Sequence, residues 1–197
     1  MSLLRLLLGA MATVVLASGC ATAPFEAQVG QRTPNPDELT QWTAKGRIAL
    51  VARGEGGSGS FVWGQRSERT ELTVRGPLGA GGVQLVTDGA TFELADGSGQ
   101  PLDGDAARTE LERRLGARLP VAELRYWLLG VPAPQRAGSG PVQMATGSVP
   151  GFVQDGWVVS FEEYQPQGRW TLPVRLTATT SSARVRIVVD DWILPTP

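Results

Sequence analysis

The side chains of this chain that could do chemistry are few, and their types exclude most catalytic arrangements. The 197 residues include no histidine and a single cysteine, Cys20. A Ser-His or Cys-His nucleophile pair, a His-ligated metal site, a cysteine zinc cluster and a disulfide within the chain therefore cannot form. The one lysine, Lys45, lies between Ala44 and Gly46 and not in the Gly-Lys-Ser/Thr sequence of a phosphate-binding loop.

Two adjacent acidic pairs, Glu162-Glu163 and Asp190-Asp191, are the remaining candidates for acid–base chemistry. Consecutive residues on a strand point to opposite faces, so neither pair converges on one substrate atom. Ser58, Ser60 and Ser139 lie in glycine-rich segments without an obvious base beside them. We therefore expect no catalytic residue, no metal site, no cofactor and no enzymatic activity.

Cys20 has a chemical role that follows from its position. Arg5 precedes an apolar run over residues 6–17, which is shorter than the about 20 residues of a membrane-spanning helix. A basic residue, a short apolar core and small residues form a secretory signal. The run ends in Leu16-Ala17-Ser18-Gly19-Cys20, which resembles the lipobox of bacterial lipoproteins, with Ala17 where leucine is commoner. That resemblance implies acyl chains on Cys20; the alternative is an ordinary cleaved signal followed by a free cysteine.

The chain divides into three predicted segments. Residues 1–19 form a lipoprotein signal peptide, 20–36 a lipidated N-terminus and flexible tether, and 37–197 a single domain. Ala21 follows the cysteine where the sorting rule of enteric bacteria places Asp in proteins retained at the inner membrane, so we expect lipid anchoring in the outer membrane. The formal net charge of −1 gives no basic field that would attract nucleic acid.

Hydrophobic periodicity predicts a mainly β fold with helices (α+β). Alternation of apolar and polar residues predicts about eight to eleven strands in one curved antiparallel sheet. Helical spacing over residues 107–115 and 120–130 predicts two helices on one side of it. Acidic residues at the start of Asp37–Ala44 predict a third, short helix, and Gly54–Gly59 predicts a hairpin connection.

Several short motifs then follow one another in a fixed order between residues 39 and 194. With the lipoprotein signal, their order and spacing resemble the LolB family of outer-membrane lipoprotein receptors of Gram-negative bacteria. The Gly54–Gly59 segment is richer in glycine than that resemblance implies. The motifs are Lys45-Gly46-Arg47-Ile48-Ala49, Phe61-Val62-Trp63, Gly76-Pro77-Leu78-Gly79, Leu119-Pro120-Val121, Trp127-Leu128-Leu129-Gly130-Val131-Pro132, Gln154-Asp155-Gly156-Trp157 and Asp191-Trp192-Ile193.

The resemblance implies an incomplete antiparallel β-barrel whose helices cover an apolar cavity. It also implies a monomer at the periplasmic face of the outer membrane. This monomer would take mature lipoproteins from a LolA-type periplasmic carrier and release them into the inner leaflet of that membrane. The residues that we assign to the acyl-chain cavity are Ile48, Leu50, Phe61, Trp63, Leu72, Val74, Leu85, Phe92 and Leu94 from the sheet, and Val121, Leu124, Trp127 and Leu128 from the helices.

Leu78 is the single large apolar residue in the connection over residues 76–82. By itself the sequence favours a leucine that folds back over the core. The family resemblance implies instead a protruding loop that carries Leu78 into contact with the membrane. A second hypothesis for the whole chain is a structural outer-membrane lipoprotein that binds protein partners and holds no lipid.

Overall fold

The alternating segments of the sequence form one antiparallel sheet of eleven strands. In the computed structural model, the described residues are 32–76, 82–96, 101–116, 118–135, 140, 142–144 and 149–195. Cys20 and Leu78 lie outside them, so their predicted roles stay predictions. The strands are β1 Gln41–Ala52, β2 Glu55–Arg66, β3 Arg69–Arg75, β4 Gly82–Thr87, β5 Phe92–Asp96, β6 Leu102–Asp103, β7 Gln143–Met144, β8 Gly151–Gln154, β9 Trp157–Gln167, β10 Trp170–Thr179 and β11 Ala183–Ile193.

The sheet consists of two meanders joined side by side. Its strand order is β6-β5-β4-β3-β2-β1-β11-β10-β9-β8-β7, with β1 paired to β11 in the middle. The sheet curls but does not close, because its edge strands β6 and β7 are not paired with each other among the described residues. The predicted incomplete barrel is therefore confirmed.

Two helices, α1 Gly104–Leu115 and α2 Val121–Leu128, connect one edge of the sheet to the other. This connection carries the chain across the open side of the curl, which places both helices over its concave face. α1 buries Ala107 and Leu111 and ends at Gly116, whose φ of 66° is the left-handed conformation that glycine favours. Within the described part of the chain, neither helix has the length and apolar character needed to cross a membrane.

The close pairing of β1 with β11 explains one glycine of the sequence motifs. The register of the two strands shifts between Lys45 and Gly46. A Cβ atom at Gly46 would lie 2.0 Å from the carbonyl oxygen of Val188 on β11. Any larger residue would therefore separate the two meanders at the point where they join.

The predicted helix over Asp37–Ala44 is wrong, because the chain makes a turn there and enters β1 at Gln41. The side-chain oxygen of Asn35 accepts the backbone N–H of Asp37 at 3.1 Å, a local turn that replaces the first turn of a helix. Trp42 and Ala44 then alternate into the core. That alternation has the period of a strand and outweighs the acidic residues that suggested a helix.

Two further predictions need correction. The predicted hairpin connection over Gly54–Gly59 is too long, since Arg53 and Gly54 alone make the turn and β2 already begins at Glu55 and pairs with β1. The end of the predicted tether also packs on the fold: Arg32 bridges to Trp170, and Pro34 is fully buried. Prolines favour extended backbone, and here that extended backbone follows the protein surface.

Candidate functional site

A cavity of about 400 Å³ lies between the first meander and the helices. A volume of this size is within the range of small-molecule sites. Its wall combines β1 to β4, the facing sides of α1 and α2, the segment between the helices and one residue of β11. The lining residues are Ile48, Leu50, Ala52, Glu55, Gly56, Gly57, Ser58, Gly59, Phe61, Trp63, Leu72, Val74, Val83, Leu85, Leu111, Arg113, Arg114, Leu115, Gly116, Leu119, Val121, Leu124 and Ile187.

Strand alternation brings the apolar wall together. The residues facing the cavity from neighbouring strands pair directly: Trp63 stands opposite Leu72, and Leu72 opposite Leu85. Between β2 and β3, Phe61 also stands opposite Val74. These cross-strand pairs form rows of apolar side chains on the concave face. The period of two in the sequence thus produces a continuous hydrophobic wall.

Nine of the thirteen residues that the sequence assigned to the cavity line it, and four do not. Those on the wall are Ile48, Leu50, Phe61, Trp63, Leu72, Val74, Leu85, Val121 and Leu124. Phe92, Leu94, Trp127 and Leu128 are buried elsewhere in the core. Phe92 lies beneath α1, with the guanidinium of Arg108 4.9 Å from its ring centre.

Trp127 is turned away from the cavity by hydrogen bonds to the second meander. Its indole N–H donates to the side-chain oxygen of Gln154 on β8 at 3.0 Å. That same oxygen accepts the backbone N–H of Ala133 at 3.0 Å, and the amide nitrogen of Gln154 donates to the carbonyl of Ala133 at 2.8 Å. All three groups are buried, so the network determines which way α2 presents its tryptophan.

Trp63 forms the inner end of the cavity, and further aromatic rings and a buried amide contact it from outside the cavity lining. Trp63 stacks on Trp42 at 6.2 Å, and Trp42 meets Trp192 edge-on at 5.3 Å. The indole N–H of Trp63 donates to the Gln65 side-chain oxygen at 3.0 Å, and the Thr70 hydroxyl donates to it at 2.8 Å. Because these polar groups satisfy one another, this end presents an apolar ring face to the cavity.

The opposite end of the cavity carries charges, and we call it the rim: Glu55–Gly59, Arg113, Arg114 and Gly116. Glu110 accepts hydrogen bonds from Arg113 and Arg114 at 2.6–2.7 Å, which lower the pKa of Glu110 to about 2. The carboxylate therefore stays ionised at physiological pH and holds both arginines. The cavity is apolar inside and polar at its mouth, as an amphiphile would require.

Several cavity residues were missed by the sequence reasoning. Leu111 and Leu115 form the apolar stripe of α1, and that amphipathic pattern could have assigned them to the wall. Ile187 could not have been found in this way, because no local pattern indicates that β11 pairs with β1. The charged rim was missed because its residues come from a strand and a helix distant in sequence.

Three of the four residues of the acidic pairs contact side chains of other strands of the sheet. Glu162 accepts hydrogen bonds from Thr177 and Arg186, at 2.6 and 3.0 Å. Glu163 pairs with Arg175 at 3.2 Å, and Asp190 with Arg47 at 2.8 Å. No group of three or more metal-ligating side chains occurs within the described residues.

The cavity matches the size of an aliphatic chain. An engineered cavity of about 150 Å³ holds one benzene molecule, so on that scale 400 Å³ holds on the order of one long acyl chain. Its wall offers contact area and few directed polar groups. Such a surface binds by burial of apolar area and not by hydrogen-bond recognition.

Comparison with known proteins identifies the family. The family model described as "Outer membrane lipoprotein LolB" matches residues 40–192. An outer-membrane lipoprotein LolB of Halorhodospira halophila is 34% identical over 95% of this chain and 94% of its own length, and one of Pseudomonas aeruginosa is 33% identical over 96% of each. A solved LolA superfamily structure from Nitrosomonas europaea aligns with a TM-score of 0.46 and 12% identity, covering 81% of this chain and 88% of its own. On the sequence matches, the chain belongs to the LolB family of outer-membrane lipoproteins.

Proposed function

We propose that this protein is an outer-membrane receptor for lipoproteins. It accepts them from a LolA-type periplasmic carrier, shields an acyl chain in the cavity and releases the lipoprotein into the inner leaflet of the outer membrane. The observation that carries the proposal is the cavity of about 400 Å³ with an apolar wall and a charged rim, in a chain of the LolB family.

The energetics of acyl chains explain why a shielded cavity serves this function. Each CH₂ group buried from water contributes about 0.8 kcal/mol, so exposing one long acyl chain costs on the order of 10 kcal/mol. A lipoprotein therefore crosses an aqueous space only between sites that cover its chains. Since the sequence has no phosphate-binding loop, we expect the hand-off to proceed by differences in affinity alone.

The anchor and the membrane contact complete the proposal. Acyl chains on Cys20 would hold the protein at the outer membrane, since three chains bind far more firmly than one. Leu78 would insert into the membrane surface and direct the cavity toward it. One leucine contributes only about 1.5–3 kcal/mol, which is enough to orient a protein that the lipid anchor already holds nearby.

A transfer assay tests the proposal. The mature lipidated protein is reconstituted in phospholipid vesicles and mixed with a LolA-type carrier loaded with a labelled lipoprotein, and we expect the label to move to the vesicles. Val74→Glu places a charge on the cavity wall and should reduce transfer at least about tenfold. The control Val62→Glu lies on the outer face of β2, where Val62 is already 37% exposed, and should transfer normally. Equal transfer by the two variants would contradict the cavity's role, and absence of transfer by the wild type would favour the scaffold hypothesis.

Leu78→Glu separates acceptance from release. We expect this variant to fold and to receive lipoprotein from the carrier, but to leave it bound and undelivered, because a charged side chain does not enter the membrane interface. The measurement is the fraction of label in protein complex and in free lipid after transfer. Unfolding of the variant, or delivery at the normal rate, would contradict membrane contact by Leu78.

A further inference from the structure

The rim contains a stretch of strand, Glu55–Gly59, in which three of the five residues are glycine. Over Glu55–Gly59, β2 pairs with β1 but, among the described residues, with no strand on its other edge, because the pairing with β3 begins at Ser60. Gly56, Gly57 and Gly59 lie in this stretch and contribute backbone to the cavity wall. Glycine in the interior of a strand weakens it and commonly marks a place where another group approaches the backbone closely.

Packing explains two of these three glycines. A Cβ atom at Gly59 would lie 2.2 Å from the carbonyl oxygen of Arg75, so a larger residue would displace β3. A Cβ atom at Gly56 would lie 3.1 Å from a methyl group of Val51 and 3.3 Å from the carbonyl oxygen of Leu50. Both positions are thus restricted by neighbouring chain atoms.

Gly57 has no such explanation. A Cβ atom there would meet nothing within 4 Å, and its φ is not positive. The fold therefore leaves room for a Cβ atom at this position, and a β-branched residue would favour the strand. Gly57 stands opposite Leu50 in the β1–β2 pairing, and both residues line the cavity.

The concave face of β2 decreases in side-chain size toward the rim. Trp63 and Phe61 are buried at the inner end, and Gly59 and Gly57 follow at the next two positions on the same face. A side chain at Gly57 would project into the mouth between Leu50 and the end of α1. The missing side chain keeps that space open.

We propose that an acyl chain leaving the cavity lies directly against the backbone of Gly57, which makes this glycine a determinant of acyl-chain binding. The inference rests on the proposed function, since it presupposes that the cavity holds an acyl chain. Arg113 and Arg114 flank the same mouth, so the polar end of the lipid meets charged groups and water just beyond the glycine. Glycine at this position would then reduce stability and favour binding.

The experiment compares two glycine-to-valine changes on the same strand. The mature chain, residues 20–197, carries Cys20→Ala in every arm so that no detergent is needed, and the probe is a fluorescent palmitoylated cysteinyl peptide. Gly57→Val is the test. Gly64→Val is the matched control, because a Cβ atom at Gly64 has its nearest neighbour at 3.8 Å and Gly64 alternates to the opposite face of β2.

We expect both variants to raise the melting temperature by about 1–4 °C, since each replaces glycine in a strand. Gly57→Val should raise the Kd for the probe about tenfold, and Gly64→Val should leave it within about twofold of the parent. An unchanged Kd for Gly57→Val, or a fall in its melting temperature, would overturn the inference.

A third variant separates this inference from the proposed function. Val74→Glu disturbs the cavity wall away from the rim and should weaken probe binding whether or not Gly57 contacts the chain. If Val74→Glu weakens binding and Gly57→Val does not, only the role of Gly57 is wrong. If the parent protein shows no saturable binding of the probe, the proposed function fails and this inference fails with it.

Discussion

The two meanders of the sheet use the same architecture but fill their concave faces differently. In the second meander, Phe152, Trp157 and Phe161 are buried, and Trp127 of α2 packs against Phe152 and Trp157. In the first, the corresponding face carries mainly aliphatic residues and glycines around the cavity. The cavity therefore lies in the half where aliphatic residues and glycines predominate, although Phe61 and Trp63 also contribute to its wall.

Helix α2 borders the cavity with its first turn and packs into the filled core with its last turn. Val121 and Leu124 face the cavity, whereas Trp127 and Leu128 are completely buried outside its lining, and Trp127 packs on the second meander. The hydrogen bond from Trp127 to Gln154 at 3.0 Å determines which half receives the large side chain. A single buried polar contact thus helps to decide which half of the sheet stays open.

Trp127→Ala should cause the largest loss of stability and should separate the two meanders most clearly. Removing the indole leaves a cavity in the filled half and takes away one of the two hydrogen bonds that the Gln154 oxygen accepts, so we expect a loss of about 3–5 kcal/mol in the free energy of unfolding. Leu72→Ala in the open half should cost less than about 2 kcal/mol, because Leu72 already borders empty space. Denaturant titration of both variants measures the difference, and equal losses would mean that the halves are packed alike.

Replacing a side chain by a larger one should destabilise the second meander more than the first. Val159 is fully buried in the second meander, so Val159→Phe should destabilise the fold by about 1–3 kcal/mol. Ile48 lines the cavity, and Ile48→Phe should change stability by less than about 0.5 kcal/mol. A comparable loss in both variants, measured by thermal melting, would contradict the existence of free space beside Ile48.

The smallest expected effect is the change in melting temperature when Glu110, which holds the two arginines of the rim, is replaced. Hydrogen bonds from Arg113 and Arg114 lower the pKa of Glu110 from 4.5 to about 2. A lowered folded-state pKa stabilises the folded protein above the unfolded value, and this advantage is lost as pH falls through the folded value. The melting temperature of the wild type should therefore exceed that of Glu110→Gln above pH 4.5, with the difference vanishing toward pH 2. A difference independent of pH would rule out this ion pair as its source.

The spacing of apolar residues along the chain was enough to predict most of the strands and the apolar face of α1. The strands around Ile48 and Phe61 and the stripe of α1 follow directly from side-chain spacing. The four residues misassigned to the cavity, among them Phe92 and Trp127, have the apolar character that the cavity wall requires. What excludes them is their position relative to elements far away in sequence, which apolar spacing cannot encode.

The corrected segments teach a related point. Glycine has a low strand propensity, yet Gly54–Gly59 largely joins β2 because pairing with β1 supplies the backbone partners. The turn at Asn35 likewise replaces the helix that the acidic residues suggested. Strand pairing thus outweighs the low strand propensity of the glycines, whereas at Asn35 one local structure replaces another.

The central claim is that the open half of the sheet, and not the filled half, holds an acyl chain. The most direct measurement uses a lipopeptide whose palmitoyl chain ends in a photoreactive diazirine, bound to the mature protein and mapped by mass spectrometry after illumination. We predict covalent insertion into β1 to β4 and the facing residues of α1 and α2, among them Leu72 and Leu124. Insertion into β8 to β10, or labelling spread evenly over the surface, would contradict the account.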